Sequence, residues 1–202
     1  MNVRQPRLIL ASASLRRQEL MKLLRIDFEV KGSEVPEKIR GDELPETLVR
    51  RLALTKAEAV HKTSSDAWVV SADTVVVCDT EILGKPASVA VAGEMLRKLS
   101  GRVHKVLTGV CIRNFQTSDV SCVTTTVRFT QLSRQEIDDY LDTGEPLGKA
   151  GGYAIQGYGS RFVQSITGCY FNVVGLPLAH LYQRLMSLGF LSQGSFMSTG
   201  FH

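Results

Sequence analysis

Apolar positions in this chain fall into short runs and helical stripes that alternate from one end to the other. Residues 7–11 form a compact apolar run read as a strand. A Ser12-Ala13-Ser14 turn follows, and residues 15–24 carry a helical stripe with Leu20, Leu23 and Leu24 toward the core. A second short strand is predicted at 28–31, then a polar loop holding Glu34, Glu37 and Asp42. Pro45, suited to a first helical position, opens a helix to His61. Residues 67–78 are apolar and strand-like on both sides of Ser71–Thr74, and Asp79-Thr80-Glu81 suits a hairpin turn. In 88–99, Ala92, Met95, Leu96 and Leu99 share one helical face, which Gly101 ends. The Val-, Thr- and Ile-rich stretches 103–115 and 120–132 predict paired strands. Ser133-Arg134-Gln135-Glu136 is a capping box opening a helix to Asp142. A glycine-rich passage at 144–159, a strand near 161–167 and a helix at 177–188 complete the pattern. Such alternation places the chain in the α/β class, with a mixed central β-sheet flanked by helices. Residues 1–191 read as one domain and 192–202, Ser/Gly-rich and aperiodic, as a disordered tail.

Composition narrows the partners. The 202 residues suffice for a sizeable core, and 44% hydrophobic with 22% charged residues is ordinary globular composition. Twenty-four basic against 20 acidic residues leave a net charge of +4, with no basic run longer than two. That argues against a nucleic-acid surface and suits an anionic small molecule. The four cysteines and four histidines are scattered without metal-ligand spacing. No apolar run approaches membrane-spanning length, so a reduced, cytoplasmic protein is expected.

Several residues resist a purely structural reading. Free N–H groups, Ser12, Ser14, Arg16 and Arg17 at the start of helix 15–24 form a receptor for an anion such as phosphate; the alternative is a plain serine cap. Asp73 interrupts an apolar strand, where an ionised carboxylate needs a metal ion or lysines, unless Ser71–Thr74 is an exposed bend. Thr74 beside it offers a hydroxyl to a ligand or merely suits a strand. Lys56 lies four residues after Leu52 and four before Val60, so its stem shares an apolar flank. Its ammonium either snorkels to water or enters a cleft as a phosphate ligand. Lys85 precedes a proline and is held in an extended loop. The glycine-rich passage matches neither the P-loop nor the dinucleotide fingerprint. Its glycines still allow backbone to approach a flat ligand, and Gln156 has both donor and acceptor for a base edge.

Leu10-Ala-Ser-Ala-Ser-Leu-Arg-Arg17, Arg51-Leu-Ala-Leu-Thr-Lys56, Ser71-Ala-Asp-Thr74, Gly84-Lys-Pro86, Leu99-Ser-Gly101, Glu145-Pro-Leu-Gly-Lys-Ala-Gly-Gly-Tyr-Ala-Ile-Gln-Gly157 and Asn172-Val-Val-Gly-Leu-Pro177 occur in order within residues 8–190. Together these blocks resemble the Maf family of nucleoside triphosphate pyrophosphatases. The resemblance implies a deep cleft between two lobes and hydrolysis of a nucleoside triphosphate to monophosphate and pyrophosphate. It also implies a divalent cation, magnesium or manganese, and, as in several members, a homodimer. By position, Asp73 would activate water and bind the metal with Glu37. Ser12, Arg16, Lys56 and Lys85 would surround the triphosphate, and Arg16, Thr74 and Gln156 match positions associated with base choice. The Ala154-Ile155-Gln156-Gly157 block looks like the subgroup acting on dTTP and UTP. Arg17 is left to solvent or a neighbouring loop, because Arg16 precedes Leu20 by one helical turn. Two departures stand out: Leu15 replaces a usual proline, and Gly148 replaces a usual aspartate, with Glu145 the nearest carboxylate in sequence. The second keeps open an alternative, a non-catalytic nucleotide-binding regulator linked to cell division.

Overall fold

The computed structural model describes residues 6–191; residues 1–5 and the expected tail at 192–202 lie outside the described residues. In chain order the elements are β1 (Leu8–Leu10), α1 (Leu15–Lys22), β2 (Glu29–Val30), α2 (Pro45–His61), β3 (Trp68–Cys78), β4 (Glu81–Leu83), α3 (Val89–Leu99), β5 (Val103–Arg113), β6 (Ser118–Phe129), α4 (Arg134–Asp142), β7 (Val163–Thr167), α5 (Tyr170–Val174) and α6 (Leu178–Ser187). Seven strands form one mixed sheet in the order β2-β1-β3-β5-β6-β7, with β4 also against β3. β1 is parallel to β2 and β3, and the other pairs are antiparallel.

β3 organises the molecule. One of its edges pairs with β5 from Val69 to Val77. The other edge is divided: β1 covers Trp68–Val70, β4 covers Val76–Cys78, and residues 71–75 between them have no strand partner there. The chain leaves β1 at Ala11, whose N–H still donates to Val70 O, and turns through Ser12 toward α1. It re-enters beside β3 through the two-residue turn at Asp79, where φ is +53° and Arg102 pairs with the carboxylate. A gap in the sheet opens where the two neighbours part.

Alternation along β3 serves two cores. Val69, Val75 and Val77 face α2 with Ala53, Ala57 and Leu52, while Val70, Ala72 and Val76 face the larger core of α1, α3, α4 and α6. α2 packs closely because Gly109 sits beneath it: a Cβ there would lie 2.2 Å from Val49 O. Ser71 donates to Ala53 O at 2.5 Å and pins the same contact.

The predicted elements are present with small shifts at their ends, and the Ser133–Glu136 capping box is formed. Three readings change. Ser71–Thr74 is not a bend, since β3 runs unbroken through it and Asp73 is buried. Leu23 does not face the core: α1 ends at Lys22, and Leu23 is 62% exposed while Met21 is fully buried. The short helix α5 had no signature, being one turn of mixed polarity after Gly168. Among the described residues no helix is long and apolar enough to cross a membrane.

Gly109→Ala is expected to destabilise the fold by about 1–3 kcal/mol in urea unfolding, because the added Cβ would lie 2.2 Å from Val49 O and force the α2 backbone away from the sheet. A variant as stable as the wild type would mean that α2 is not held at this contact.

Candidate active site

The gap beside β3 deepens into a cleft of about 490 Å³, a size suited to a small-molecule ligand. The structure gathers Ser12, Arg16, Glu37, Lys56, Asp73, Thr74, Lys85 and Gln156 along it, although they span 145 positions of sequence. Arg17 and Lys149 also line it, so five cationic side chains stand against two carboxylates. Such an excess, with partly desolvated walls, favours a polyanionic ligand.

A chain of ion pairs crosses the floor. Lys56 Nζ donates to Asp73 Oδ1 at 2.5 Å and to Glu37 Oε1 at 2.6 Å, and Lys85 Nζ donates to Glu37 Oε2 at 2.7 Å. Lys56 and Asp73 are each only 6% exposed, so the ammonium does not snorkel but compensates the buried carboxylate. Burial opposes ionisation of Glu37, yet its hydrogen bonds from Lys56 and Lys85 outweigh that and hold its pKa down at about 2. Glu37 is placed by its loop: Arg51 clamps Glu43 through Nε at 2.7 Å and Nη2 at 2.6 Å, and Nη2 also donates to Lys38 O at 2.9 Å. Arg51 thereby ties the 37–43 segment to α2, one and a half turns from Lys56.

The first turn of α1 forms another wall. Ser14 is its N-cap but makes no side-chain cap bond, and among the described residues the Ser12 hydroxyl accepts only from Ser14 N–H at 3.3 Å. Arg16 makes no hydrogen bond among the described residues. Arg17 does not go to solvent: it lines the cleft, and its Nη2 donates to Thr74 Oγ1 at 3.0 Å and its Nε to Gly175 O at 2.8 Å. Burial lowers the pKa of both guanidiniums from its usual value. One-turn spacing was the right signal applied to half of the stripe, since Arg17 precedes fully buried Met21 as Arg16 precedes Leu20.

The glycine-rich passage closes the opposite side. Glu145 does not enter the cleft in place of the missing aspartate. Its carboxylate accepts from Tyr140 OH at 2.8 Å, Tyr158 N–H at 3.0 Å and Gly159 N–H at 3.1 Å. Gly157 makes this staple possible, because a Cβ there would lie 2.1 Å from Glu145 Oε2. Gly148 lines the cleft with φ +72° and nothing within 4 Å of where its Cβ would be. Gln156 is exposed at the rim with no partner among the described residues. Lys149 had no distinguishing signal in the sequence; burial and the nearby Arg16 charge lower its pKa from its usual value.

A profile of the Maf-like protein family matches residues 7–188. The chain belongs to the Maf family. Among its relatives is a dTTP/UTP pyrophosphatase of Symbiobacterium thermophilum, 50% identical over 183 residues, covering 91% of this chain and 94% of that protein. Proteins of the same name from Koribacter versatilis and Bacillus cytotoxicus are 47% and 49% identical, covering 91% and 88% of this chain and 95% and 93% of theirs. By shape, the structure of the Staphylococcus aureus Ham1 protein overlaps 61% of this Maf chain and 71% of its own, with TM-score 0.46 and 16% identity.

Behind the cleft wall of this Maf protein, His104 is buried against Phe129, and its Nε2 lies 2.9 Å from the hydroxyl of cleft-lining Tyr153. Burial pushes the imidazole pKa down to about 4, so the folded chain resists a proton that the unfolded chain takes up near pH 6.5. Stability from this group is therefore complete above pH 6.5 and falls as the pH drops toward 4, by on the order of 3 kcal/mol. Urea unfolding across that window is expected to show a steeper decline for the wild type than for His104→Gln. Equal slopes would remove His104 as the cause.

Proposed function

We propose that this Maf protein hydrolyses dTTP, UTP and related pyrimidine nucleoside triphosphates, modified ones included, to the monophosphate and pyrophosphate. The observation carrying this reading is the buried Asp73 carboxylate held in a cleft with five cationic side chains. Names of relatives at 47–50% identity over most of the chain support the pyrimidine assignment.

Each side chain then has a task. Arg16, Lys56 and Lys85, with the Ser12 hydroxyl and free N–H groups at the start of α1, hold the triphosphate and disperse the charge that builds on departing pyrophosphate. Asp73 orients a water molecule at the α-phosphorus and accepts its proton. Lys56 leaves its pairing with Asp73 for phosphate oxygens as the substrate arrives, which frees the carboxylate for that work. Thr74 and Gln156, which match the family positions associated with base choice, take part in reading the base.

Asp73 and Glu37 supply the hard oxygen donors that a magnesium- or manganese-type ion takes. Both carboxylates lie on Lys56 Nζ, and they are the residues that would hold such an ion, although among the described residues no group of three potential ligands stands together. When bound, that ion neutralises phosphate charge and makes water more acidic. The four free thiols are consistent with a reducing cytoplasmic compartment, and a homodimer belongs to the same reading through the family resemblance.

Purified protein with magnesium or manganese is expected to release pyrophosphate from dTTP and UTP in preference to purine triphosphates. Binding without any monophosphate formed would favour the regulatory alternative instead. Asp73→Asn should lower kcat by about 10²–10⁴-fold with nucleotide binding largely retained, and undiminished turnover would remove Asp73 as the base. Gly148→Asp has space for its side chain, and aspartate tolerates a left-handed backbone better than most residues. It is expected to lower, several-fold, the metal concentration giving half-maximal rate; an unchanged metal titration would show that the loop does not reach the ion.

A further inference from the structure

A closed circuit of hydrogen bonds lies behind one wall of the cleft, and donor–acceptor arithmetic gives it a single direction. A guanidinium only donates and a peptide carbonyl only accepts. Arg17 Nη2 therefore donates to Thr74 Oγ1, and Thr108 Oγ1 donates to Asn172 O at 3.0 Å. Thr74 and Thr108 are register partners on β3 and β5, with hydroxyl oxygens 3.0 Å apart. Each hydroxyl has one proton. Thr108 gives its proton to Asn172, so Thr74 is the donor between the two threonines. Arg17 Nε donates to Gly175 O, three residues beyond Asn172, and closes the circuit through α5. The far end is anchored as well: Asn172 Nδ2 donates to Val106 O at 3.0 Å and Thr125 Oγ1 at 3.1 Å, on β5 and β6.

This direction has a consequence for recognition. Thr74 has no proton left for a ligand and keeps one free lone pair. Arg17 has three of its five N–H groups without an acceptor among the described residues, and it lines the cleft. Of Thr74 and Arg17, donor capacity therefore belongs to Arg17, whose targets are acceptors: a base carbonyl or a phosphate oxygen. Thr108, fully buried, never meets the ligand.

We propose that Thr108 is a positioning residue for nucleotide binding, holding Thr74 as a hydrogen-bond donor and through it fixing the guanidinium of Arg17. The proposal rests on the reading of the cleft as a pyrimidine nucleotide site, deepens it by one residue, and assigns Thr74 an orienting task rather than a donor's.

Thr108→Val keeps the branched shape and loses the hydroxyl; Thr108→Ser keeps the hydroxyl. Binding of the non-hydrolysable analogue α,β-methylene-dTTP, measured by calorimetry, separates this proposal from the hydrolysis reading. With one neutral hydrogen bond removed, Thr108→Val is expected to weaken binding about 3–10-fold, with a matching rise in KM for dTTP and little change in kcat. Thr108→Ser should restore both to within about twofold. Thr74→Val, at a less buried position, interrupts the same circuit and should show the same weakening even where Thr108→Val fails to fold. The double variant should be no worse than either single one, since all three break one circuit. Tripolyphosphate inhibition locates the contact: a raised inhibition constant in Thr108→Val places Arg17 on phosphate, and an unchanged one with an altered dTTP to dCTP ratio places it on the base. Unchanged binding in both single variants, equal loss in Thr108→Ser and Thr108→Val, or multiplying effects in the double variant would each overturn the proposal. Wild-type protein that binds the analogue but hydrolyses nothing would sink the proposed function and leave this one standing.

Discussion

The pairing of Asp73 with Lys56 is the interaction on which this site depends. A carboxylate 6% exposed in the middle of a seven-stranded sheet is costly unless a partner compensates for lost water. The partner comes from a helix, so the helix must lie close and in register. Gly109 removes the side chain that would hold α2 away, and Ser71 bonds to Ala53 O beside the pair. Arg51 then draws the Glu37 loop over the same helix. Fold and charge arrangement are one problem here: moving α2 by the width of a methyl group would leave a buried charge without its counterpart.

The cleft owes its position to topology as much as to side chains. β1 runs parallel to β3 and β4 runs antiparallel, and they part where residues 71–75 of β3 lack a neighbour. In open α/β sheets ligands collect at such points of changing strand order. Helix α1 begins at the same opening, so its unbonded N–H groups and two arginines face whatever enters. The glycine-rich passage supplies the other wall, shaped by the Glu145 staple.

Much of this was legible in the sequence because it follows from periodicity and from residues out of place. Asp73 among valines pointed to a buried charge, while Lys56 on an apolar flank fitted snorkelling as well as a cleft, and the structure pairs the two. The eight candidate residues converge on one cleft. What stayed hidden depends on three dimensions. Arg16 and Arg17 share the turn before a buried stripe, and only the positions of Thr74 and Gly175 show which of them is held. Glu145 looked like a spare carboxylate because nothing in the chain places Tyr140 OH and two glycine-loop N–H groups around it. Thr108 looked like an ordinary strand residue, since β-branched residues fill strands for packing reasons alone. Leu23 continues the apolar stripe in sequence, but the helix ends one residue before it.

Successive side chains of a strand point to opposite faces. Asp73 turns toward α2 and its ion pairs, and Thr74, the next residue, turns toward α1 and α5. Because the cleft runs along the open edge of β3, it is reached from both faces at once. Two neighbours on one strand thus meet the cleft from opposite sides, one as an ion-paired carboxylate and the other as a hydroxyl fixed between a guanidinium and a second threonine.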